Sequence, residues 1–261
     1  MDIQALLNAL FRWIHIASGI LWIGLLYWFN FVNIPFAGTM DGDTKKKVVP
    51  ELLPRALYWF RWAAAYTWAT GVILLFVVFY HGGIMYPQDV GKEWTMVDSL
   101  VLWAIIVAAV FAYDFLAKSA VAKNLKQFAA VGFVLIGIVI YLMITVGKLD
   151  YRSYVIHTGV LFGSIMAFNV WFRIWPSQKK VIAAVKEGTA PDPTLVSLAG
   201  SRSRTNTYLS VPLIWMMINM HTTTFAMSGP LMDTVVLLAV VLLGWLGVMR
   251  IYKLSAKVKG F

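Results

Sequence analysis

The chain has 261 residues, of which 60% are hydrophobic and 13% are charged, and its mean hydropathy is +0.74. Soluble globular domains are about half apolar and about a quarter charged, so this composition excludes a soluble domain and indicates an integral membrane protein. The sequence contains no cysteine, which excludes disulfides, iron–sulfur clusters, thiolate-ligated haem and covalently attached c-type haem. Any metal or cofactor is therefore expected on His, Met, carboxylate or backbone groups.

Apolar runs recur along the chain and predict seven transmembrane helices, since about 20 residues cross a hydrocarbon core of ~30 Å. The expected fold class is an all-α, polytopic membrane helix bundle that forms a single domain over residues 1–261. In the sixth helix, Pro212, Asn219 and His221 interrupt the apolar run, and such groups are tolerated only where they face protein, a cofactor or water. The predicted helices are about 6–30, 56–80, 97–117, 127–147, 153–175, 206–226 and 231–252.

Lys and Arg concentrate in alternate connections between these helices. Sixteen lie in one set of connections and termini and only four in the other. Because basic segments stay on the cytoplasmic side, this bias predicts an N-terminus outside and a C-terminus in the cytoplasm, with residues 177–205 as a polar cytoplasmic loop. The same bias accounts for the net charge of +10, so no nucleic-acid partner is expected.

This topology places histidines of three different helices in the outer half of the membrane. They are His15, His157 and His221, and His81 lies at the outer end of the second helix. Polar residues inside a membrane are rare unless they serve a site. In a cysteine-free bundle, two imidazoles on facing helices are the usual ligands of haem b. The pattern therefore favours haem b and leaves open another histidine-bound metal or a purely structural role.

Small and basic residues near these histidines fit a haem slot. Gly19 lies one turn after His15 on the same face. Arg12 is also close to His15 and is predicted to pair with a haem propionate, because a guanidinium binds a carboxylate bidentately. A G-x-x-x-G spacing, which permits close approach of a cofactor but also serves ordinary helix packing, follows His157 at Gly159 and Gly163.

Other polar residues in the predicted helices have simpler explanations. Arg61 either holds an anionic group or extends to the cytoplasmic interface, the second being favoured. Asp114 has Lys118 four residues later, which predicts an ion pair along one helix. Asn169 and Asn206 are predicted to hydrogen-bond between helices. No nucleophile with a neighbouring base is found, so catalytic residues stay unknown.

Four segments of the sequence resemble a known family. They are "RWIHIASGILWIGLLYWFNF" (12–31), "LLPRALYWFRWAAAYTWATG" (52–71), "HTGVLFGSIMAFNVWFRIWPSQKKV" (157–181) and "RSRTNTYLSVPLIWMMINMH" (202–221). Together, in this order, they resemble the N-terminal membrane domain of the bacterial cytochrome-c-linked urate oxidase, the urate hydroxylase PuuD family. The resemblance implies an eight-helix membrane unit followed by a cytochrome c domain, and it matches family histidines at His15, His157 and His221.

The resemblance further implies that urate is oxidised and that electrons leave through the fused cytochrome. This sequence stops after the seventh predicted helix and has no C-x-x-C-H, so electrons are expected to pass to a separate protein. The expected function is a haem-b electron-transfer or oxidoreductase subunit of the bacterial inner (cytoplasmic) membrane. Its partners would be an extracytoplasmic cytochrome c or other subunits of a membrane complex, and lipid. The alternative is a structural or accessory subunit of a larger respiratory or photosynthetic complex.

The pair of iron-ligating histidines is left open by the sequence. Similar depth favours His157 with His221, whereas the small residue one turn away favours His15. One haem is expected, and a second on the remaining histidine and His81 stays an alternative. A transporter or channel is disfavoured, because the inner halves of the helices carry few ionisable groups and no inverted repeat is found.

Overall fold

A computed structural model of the chain describes residues 3–87, 91, 93–227 and 229–258. These residues form helices and connecting turns, and none of them lies in a β-strand. The predicted class of an all-α membrane helix bundle is therefore confirmed. The helices are α1 Ile3–Tyr27, α2 Ile34–Thr39, α3 Gly42–Leu74, α4 Met96–Leu116, α5 Leu125–Thr145, α6 Tyr151–Asn169, α7 Trp175–Glu187, α8 Pro193–Asn219 and α9 Pro230–Ser255.

Among the described residues, three π-helical stretches continue these helices: Trp28–Asn33, Leu75–Tyr80 and Val170–Ile174. A π-helix is wound with hydrogen bonds between residues five apart, as between the His81 amide and the Phe76 carbonyl (2.8 Å). The first and third stretches join α1 to α2 and α6 to α7 into continuous segments. Such stretches occur often at functional sites, because they rotate the side chains that follow them.

Six segments within the described part of the chain are long and apolar enough to cross a membrane. They are Ile3–Thr39, Gly42–Tyr80, Met96–Leu116, Leu125–Thr145, Tyr151–Glu187 and Pro230–Ser255. The α8 helix is not among them, because basic and hydroxyl side chains occupy its first half. The chain is thus a multi-pass membrane protein. Six of the seven predicted spans meet these criteria and the sixth predicted span does not.

The predicted bounds 206–226 of that sixth helix are wrong at the start. The α8 helix begins 13 residues earlier, at Pro193. Asp192 caps it, because the amide of Thr194 donates to the Asp192 carboxylate at 2.8 Å, and proline is favoured at the first helical position. Hydrogen bonds from Thr194 hold the pKa of the Asp192 carboxyl below its usual range. The apolar run on which the prediction was based covers only the second half of this helix.

The predicted end of the same helix is also wrong, because α8 stops at Asn219. The residues that follow are His221 and the β-branched run Thr222–Thr224, which have low helix propensity. The side-chain amide of Asn219 turns back and donates to the Trp215 carbonyl at 3.1 Å. As a result, His221 lies beyond the helix end and is exposed to solvent or lipid.

The predicted cytoplasmic loop 177–205 is mostly helical. The α7 helix continues to Glu187, where Gly188 ends it with a φ of 74°, and α8 begins at Pro193. Helices also extend beyond the predicted 6–30, 56–80, 153–175 and 231–252, because polar residues such as Lys and Glu continue a helix that the apolar run begins. The predictions 97–117 and 127–147 agree with α4 and α5 within two residues.

The described residues divide into two compact units. The first unit contains the described residues of Met1–Val72, Met166–Ser210 and Trp245–Phe261. The second unit contains Ile73–Ile165 together with the described residues of Val211–Gly244. His15 therefore belongs to the first unit, and His81, His157 and His221 belong to the second.

Pro212 of α8 packs closely against α9 in the second unit. A Cβ atom at Gly244 would lie 2.8 Å from the Pro212 Cδ and 3.2 Å from its backbone nitrogen. Real Cβ atoms do not approach a ring this closely, so the glycine permits the helices to touch. A Cβ at Gly247, one turn later on α9, would meet no atom within 4 Å.

We expect Gly244→Ala to destabilise the protein by about 1–3 kcal/mol, because the added methyl overpacks against the Pro212 ring. Gly247→Ala is the matched control and should leave stability unchanged or raise it slightly, since alanine favours a helix. The thermal unfolding midpoint of each purified variant in one detergent measures the difference. Equal midpoints for the two variants would contradict the close packing.

Candidate functional site

His15 on α1 is held against α3 by a hydrogen bond that fixes its tautomer. Its Nδ1 is 2.8 Å from the Thr67 carbonyl oxygen and 3.3 Å from the Thr70 hydroxyl. A carbonyl oxygen only accepts, so Nδ1 carries the proton and Nε2 keeps its lone pair. This is the form in which a histidine ligates iron, with the second nitrogen oriented by a backbone carbonyl. The imidazole is half-buried.

Gly71 makes room for the His15 ring. A Cβ atom at this position would lie 2.8 Å from the His15 Cε1 and 3.3 Å from its Nδ1. Thr67 and Gly71 are one turn apart on α3, so one helix face supplies both the carbonyl and the space. Gly19 contacts the same face more loosely, because a Cβ there would lie 3.7 Å from the Thr67 Cγ2. Thr67 and Gly71 were missed by sequence reasoning.

His157 on α6 has both ring nitrogens bonded inside the second unit. Its Nδ1 donates to the Ser153 carbonyl at 2.6 Å, which leaves Nε2 as the acceptor of a 3.0 Å hydrogen bond from the Tyr80 hydroxyl. The two rings stack, with centroids 5.7 Å apart and planes at 21°. His157 is only 1% exposed. Its ligating nitrogen is therefore occupied by Tyr80 in this arrangement.

Tyr80 also contacts Trp94, which stacks on its ring at a centroid distance of 5.2 Å. Tyr80 is the last residue of the π-helical stretch Leu75–Tyr80, which sets where its hydroxyl points. A cavity of about 30 Å³ adjoins His157 and has otherwise apolar walls. That is space for about one or two water molecules, far below what a haem needs. His157 thus lies in packed surroundings, and Tyr80, like Thr67 and Gly71, was missed by sequence reasoning.

His221 and His81 lie outside regular helix in the second unit. His221 follows the end of α8, and its backbone carbonyl lies 3.5 Å from the Arg152 guanidinium. His81 follows the π-helical stretch, and both histidines are exposed. The prediction that His221 lies inside a transmembrane helix is therefore wrong, whereas iron ligation by these residues stays a prediction. Nowhere in the described ranges do three His, Asp or Glu side chains form a group that could hold a metal ion.

The glycines after His157 differ in their surroundings. A Cβ at Gly159 would lie 3.1 Å from the Met217 Cε and 3.5 Å from the Leu213 Cδ1, so this glycine serves the packing of α6 on α8. A Cβ at Gly163 would meet nothing within 4 Å. Their predicted place in a cofactor slot stays a prediction, as does the pairing of the exposed Arg12 with a propionate.

The predicted inter-helix hydrogen bond between two asparagines is confirmed. The Asn169 amide donates to the Asn206 side-chain oxygen at 2.8 Å, and the Asn206 amide donates to the Met166 carbonyl at 3.0 Å. Both side chains are fully buried in the first unit. The predicted ion pair of Lys118 with Asp114 is also confirmed, at 2.6 Å. The four-residue spacing was sufficient to predict the ion pair, whereas the structure shows that the two asparagines bond to each other.

We expect Tyr80→Phe to destabilise the protein by about 1–3 kcal/mol, because it leaves the buried His157 Nε2 without a donor. Tyr141→Phe is the control, since Tyr141 is 44% exposed on α5. Thermal unfolding midpoints of the two variants in the same detergent measure the effect. If Tyr80→Phe unfolds at the same temperature as Tyr141→Phe, the hydrogen bond to His157 does not contribute to stability.

The chain was compared with protein families, with curated proteins and with solved structures. The family model described as urate oxidase N-terminal matches residues 36–259. No curated protein and no solved structure matches the chain. The matched range includes His81, His157 and His221, whereas Arg12, His15 and Gly19 precede it. Since the match covers most of the 261 residues, the chain belongs to the urate oxidase N-terminal family.

Proposed function

We propose that this protein is a membrane electron-transfer subunit that holds haem b through His15. The observation that carries the proposal is the tautomer of His15, whose Nδ1 is committed to the Thr67 carbonyl (2.8 Å) and whose Nε2 keeps its lone pair. Membership of the urate oxidase N-terminal family supports a redox role. Haem supplies reversible one-electron chemistry, which the side chains of this cysteine-free chain do not offer.

The residues around His15 have distinct roles in this proposal. His15 would supply an imidazole ligand to the iron, and the Thr67 carbonyl would orient the ring and raise its basicity. Gly71 keeps the space that the imidazole occupies. Arg12 lies about one turn before His15 and pairs with a propionate. His157 and His221 belong to the second unit, and their ligation of iron stays a prediction from the sequence.

His157 is a weaker candidate than His15. Its Nε2 accepts from the Tyr80 hydroxyl at 3.0 Å, so iron ligation requires that Tyr80 first give up this hydrogen bond. Its Nδ1, bonded to the Ser153 carbonyl, is oriented as in a ligating histidine. Iron ligation by His157 would therefore require a rearrangement, whereas the hydrogen bonds of His15 to described residues are made by its Nδ1.

The electron partner in this proposal is an extracytoplasmic c-type cytochrome, and the membrane is the bacterial cytoplasmic membrane. The charge bias between connections puts the histidine-bearing helix ends on the outer side, where such a carrier docks. Urate oxidation is the family's activity, and no residue in the described part of the chain has been assigned to a step of it.

A second function, that of an accessory subunit without a cofactor, is favoured by the contacts of the second unit and of the asparagine pair. His157 is fully bonded by Tyr80 and Ser153, and Asn169 is bonded by Asn206. Satisfied polar groups of this kind hold helices together in a membrane without any chemistry. The spectrum of the purified protein separates the two functions.

We expect purified protein to show a Soret band and sharp b-type bands in its reduced-minus-oxidised spectrum. His15→Ala should lower the haem content per chain by about tenfold or more, because an axial ligand is lost and ligand-shell changes alter metal affinity by 10–100-fold. Ile16→Ala is the control, since this exposed neighbour of His15 is no candidate ligand. Haem per chain is measured by the pyridine haemochrome assay.

No b-type spectrum in protein purified from haem-supplied cells would favour the accessory function. A His15→Ala variant that keeps the full haem content would refute the assignment of His15 and leave the other histidines as ligands. Size-exclusion profiles of both variants check that the protein is folded.

Gly71→Ala tests the same site without removing a ligand. The added Cβ would approach the His15 Cε1 to 2.8 Å and displace the ring, so we expect lower haem content and a shifted Soret maximum. Gly24→Ala is the matched control in the first unit, because a Cβ there would meet nothing within 4 Å. Equal spectra for the two variants would show that the contact of Gly71 with His15 does not matter for the cofactor.

A further inference from the structure

Arg61 on α3 lies among three aromatic rings of the first unit, a set that we call the Arg61 cage. Its guanidinium carbon is 4.1 Å from the ring centroid of Trp175, 5.6 Å from that of Tyr58 and 5.8 Å from that of Trp171. Distances below about 6 Å are those of cation–π contacts. The Trp171 indole also donates to the Arg61 carbonyl at 3.1 Å, which fixes one wall of the cage to α3.

The ring contacts leave the hydrogen-bonding capacity of the guanidinium unused. Ring faces attract the positive charge but do not accept from the five in-plane N–H donors. The Arg61 Nε is buried and makes no hydrogen bond. In the part of the chain that the structure describes, Arg55 pairs with Glu51, whereas no carboxylate pairs with Arg61. The cage thus holds a permanent cation that needs an oxygen ligand.

The cage lies where the apolar part of α3 begins. Residues 62–80 carry no charged side chain, whereas Lys45, Lys46, Lys47 and Arg55 precede Arg61. The segment that carries Trp171 and Trp175 changes from apolar to charged at the same place, because no charged residue occurs between Arg152 and Arg173. Tyr and Trp favour the interface of a membrane with water, and the cage contains three of them. Its level on α3 is therefore that of lipid headgroups.

The α3 and α7 helices continue side by side from the cage to a basic end. There the Lys46 Nζ would lie 2.9 Å from a Cβ at Gly188, the residue that ends α7. From Arg61 to Lys46 the helix rises by about 20 Å, so this end extends beyond the apolar span. Basic pockets between helices at this level attract acidic headgroups.

We propose that the Arg61 cage binds the phosphate of an anionic phospholipid headgroup. The planar guanidinium pairs bidentately with two phosphate oxygens, which gives its in-plane donors the acceptors they lack. The faces of Trp175, Trp171 and Tyr58 hold the guanidinium in one orientation, so that less conformational freedom is lost when the headgroup binds. The net charge of +10 favours an acidic lipid over a zwitterionic one.

Native mass spectrometry of delipidated protein in a neutral detergent tests this binding, with phosphatidylglycerol as the probe and phosphatidylcholine as the zwitterionic control. We expect Arg61→Gln to weaken phosphatidylglycerol binding by about fivefold, since one Lys or Arg near an anionic surface is worth about 1 kcal/mol. Arg61→Lys should bind with intermediate affinity, because it keeps the charge and loses the planar fork.

Arg55→Gln is the matched control on the same helix, because Arg55 is exposed and already paired with Glu51. It should bind phosphatidylglycerol like the unsubstituted protein. The proposal is overturned if Arg61→Gln binds this lipid equally well while eluting as a folded species, or if Arg55→Gln loses as much binding. It is also overturned if the protein binds inorganic phosphate at millimolar concentration in an Arg61-dependent way and does not bind phosphatidylglycerol. That result would assign the cage to a free anion.

Discussion

The structure depends on one constraint, that polar groups inside a membrane must find their partners in the protein. No water in the hydrocarbon core replaces a missing hydrogen bond, and each unsatisfied group is costly. The buried histidine of α6 meets this constraint with Tyr80 and the Ser153 carbonyl, and the buried amide nitrogen of Asn169 meets it by donating to Asn206. These contacts decide which helix faces turn inward, and the apolar side chains follow.

The same constraint separates two histidines that look alike in the sequence. Both donate from Nδ1 to a backbone carbonyl, so both have the tautomer that leaves Nε2 as an acceptor. The Tyr80 hydroxyl donates a hydrogen bond to the Nε2 of His157. The hydrogen bonds of His15 to described residues are made by its Nδ1. The difference between the two imidazoles therefore comes from one tyrosine, which a π-helical stretch brings within hydrogen-bond distance of His157.

How far the sequence predicts this protein depends on whether a feature is local. Apolar runs predicted the fold class, and a four-residue spacing predicted the pair of Asp114 with Lys118. Helix ends such as Asn219 were missed, because they depend on capping and on propensity outside the apolar run. The contact of Tyr80 with His157 was missed for another reason: it depends on helix rotation, and a π-helical stretch changes that rotation without a signature in composition.

The α3 helix carries both the proposed cofactor contact and the proposed lipid site. Thr67 and Gly71 follow Arg61 by six and ten residues, so about 9 to 15 Å of one continuous helix separates the two places. An α-helix transmits a rotation or a shift along its axis with little loss, because each turn is hydrogen-bonded to the next. A headgroup that fixes Arg61 therefore also fixes the carbonyl that orients His15. If both proposals hold, the acidic lipid acts on the cofactor through the position of α3 and without touching it.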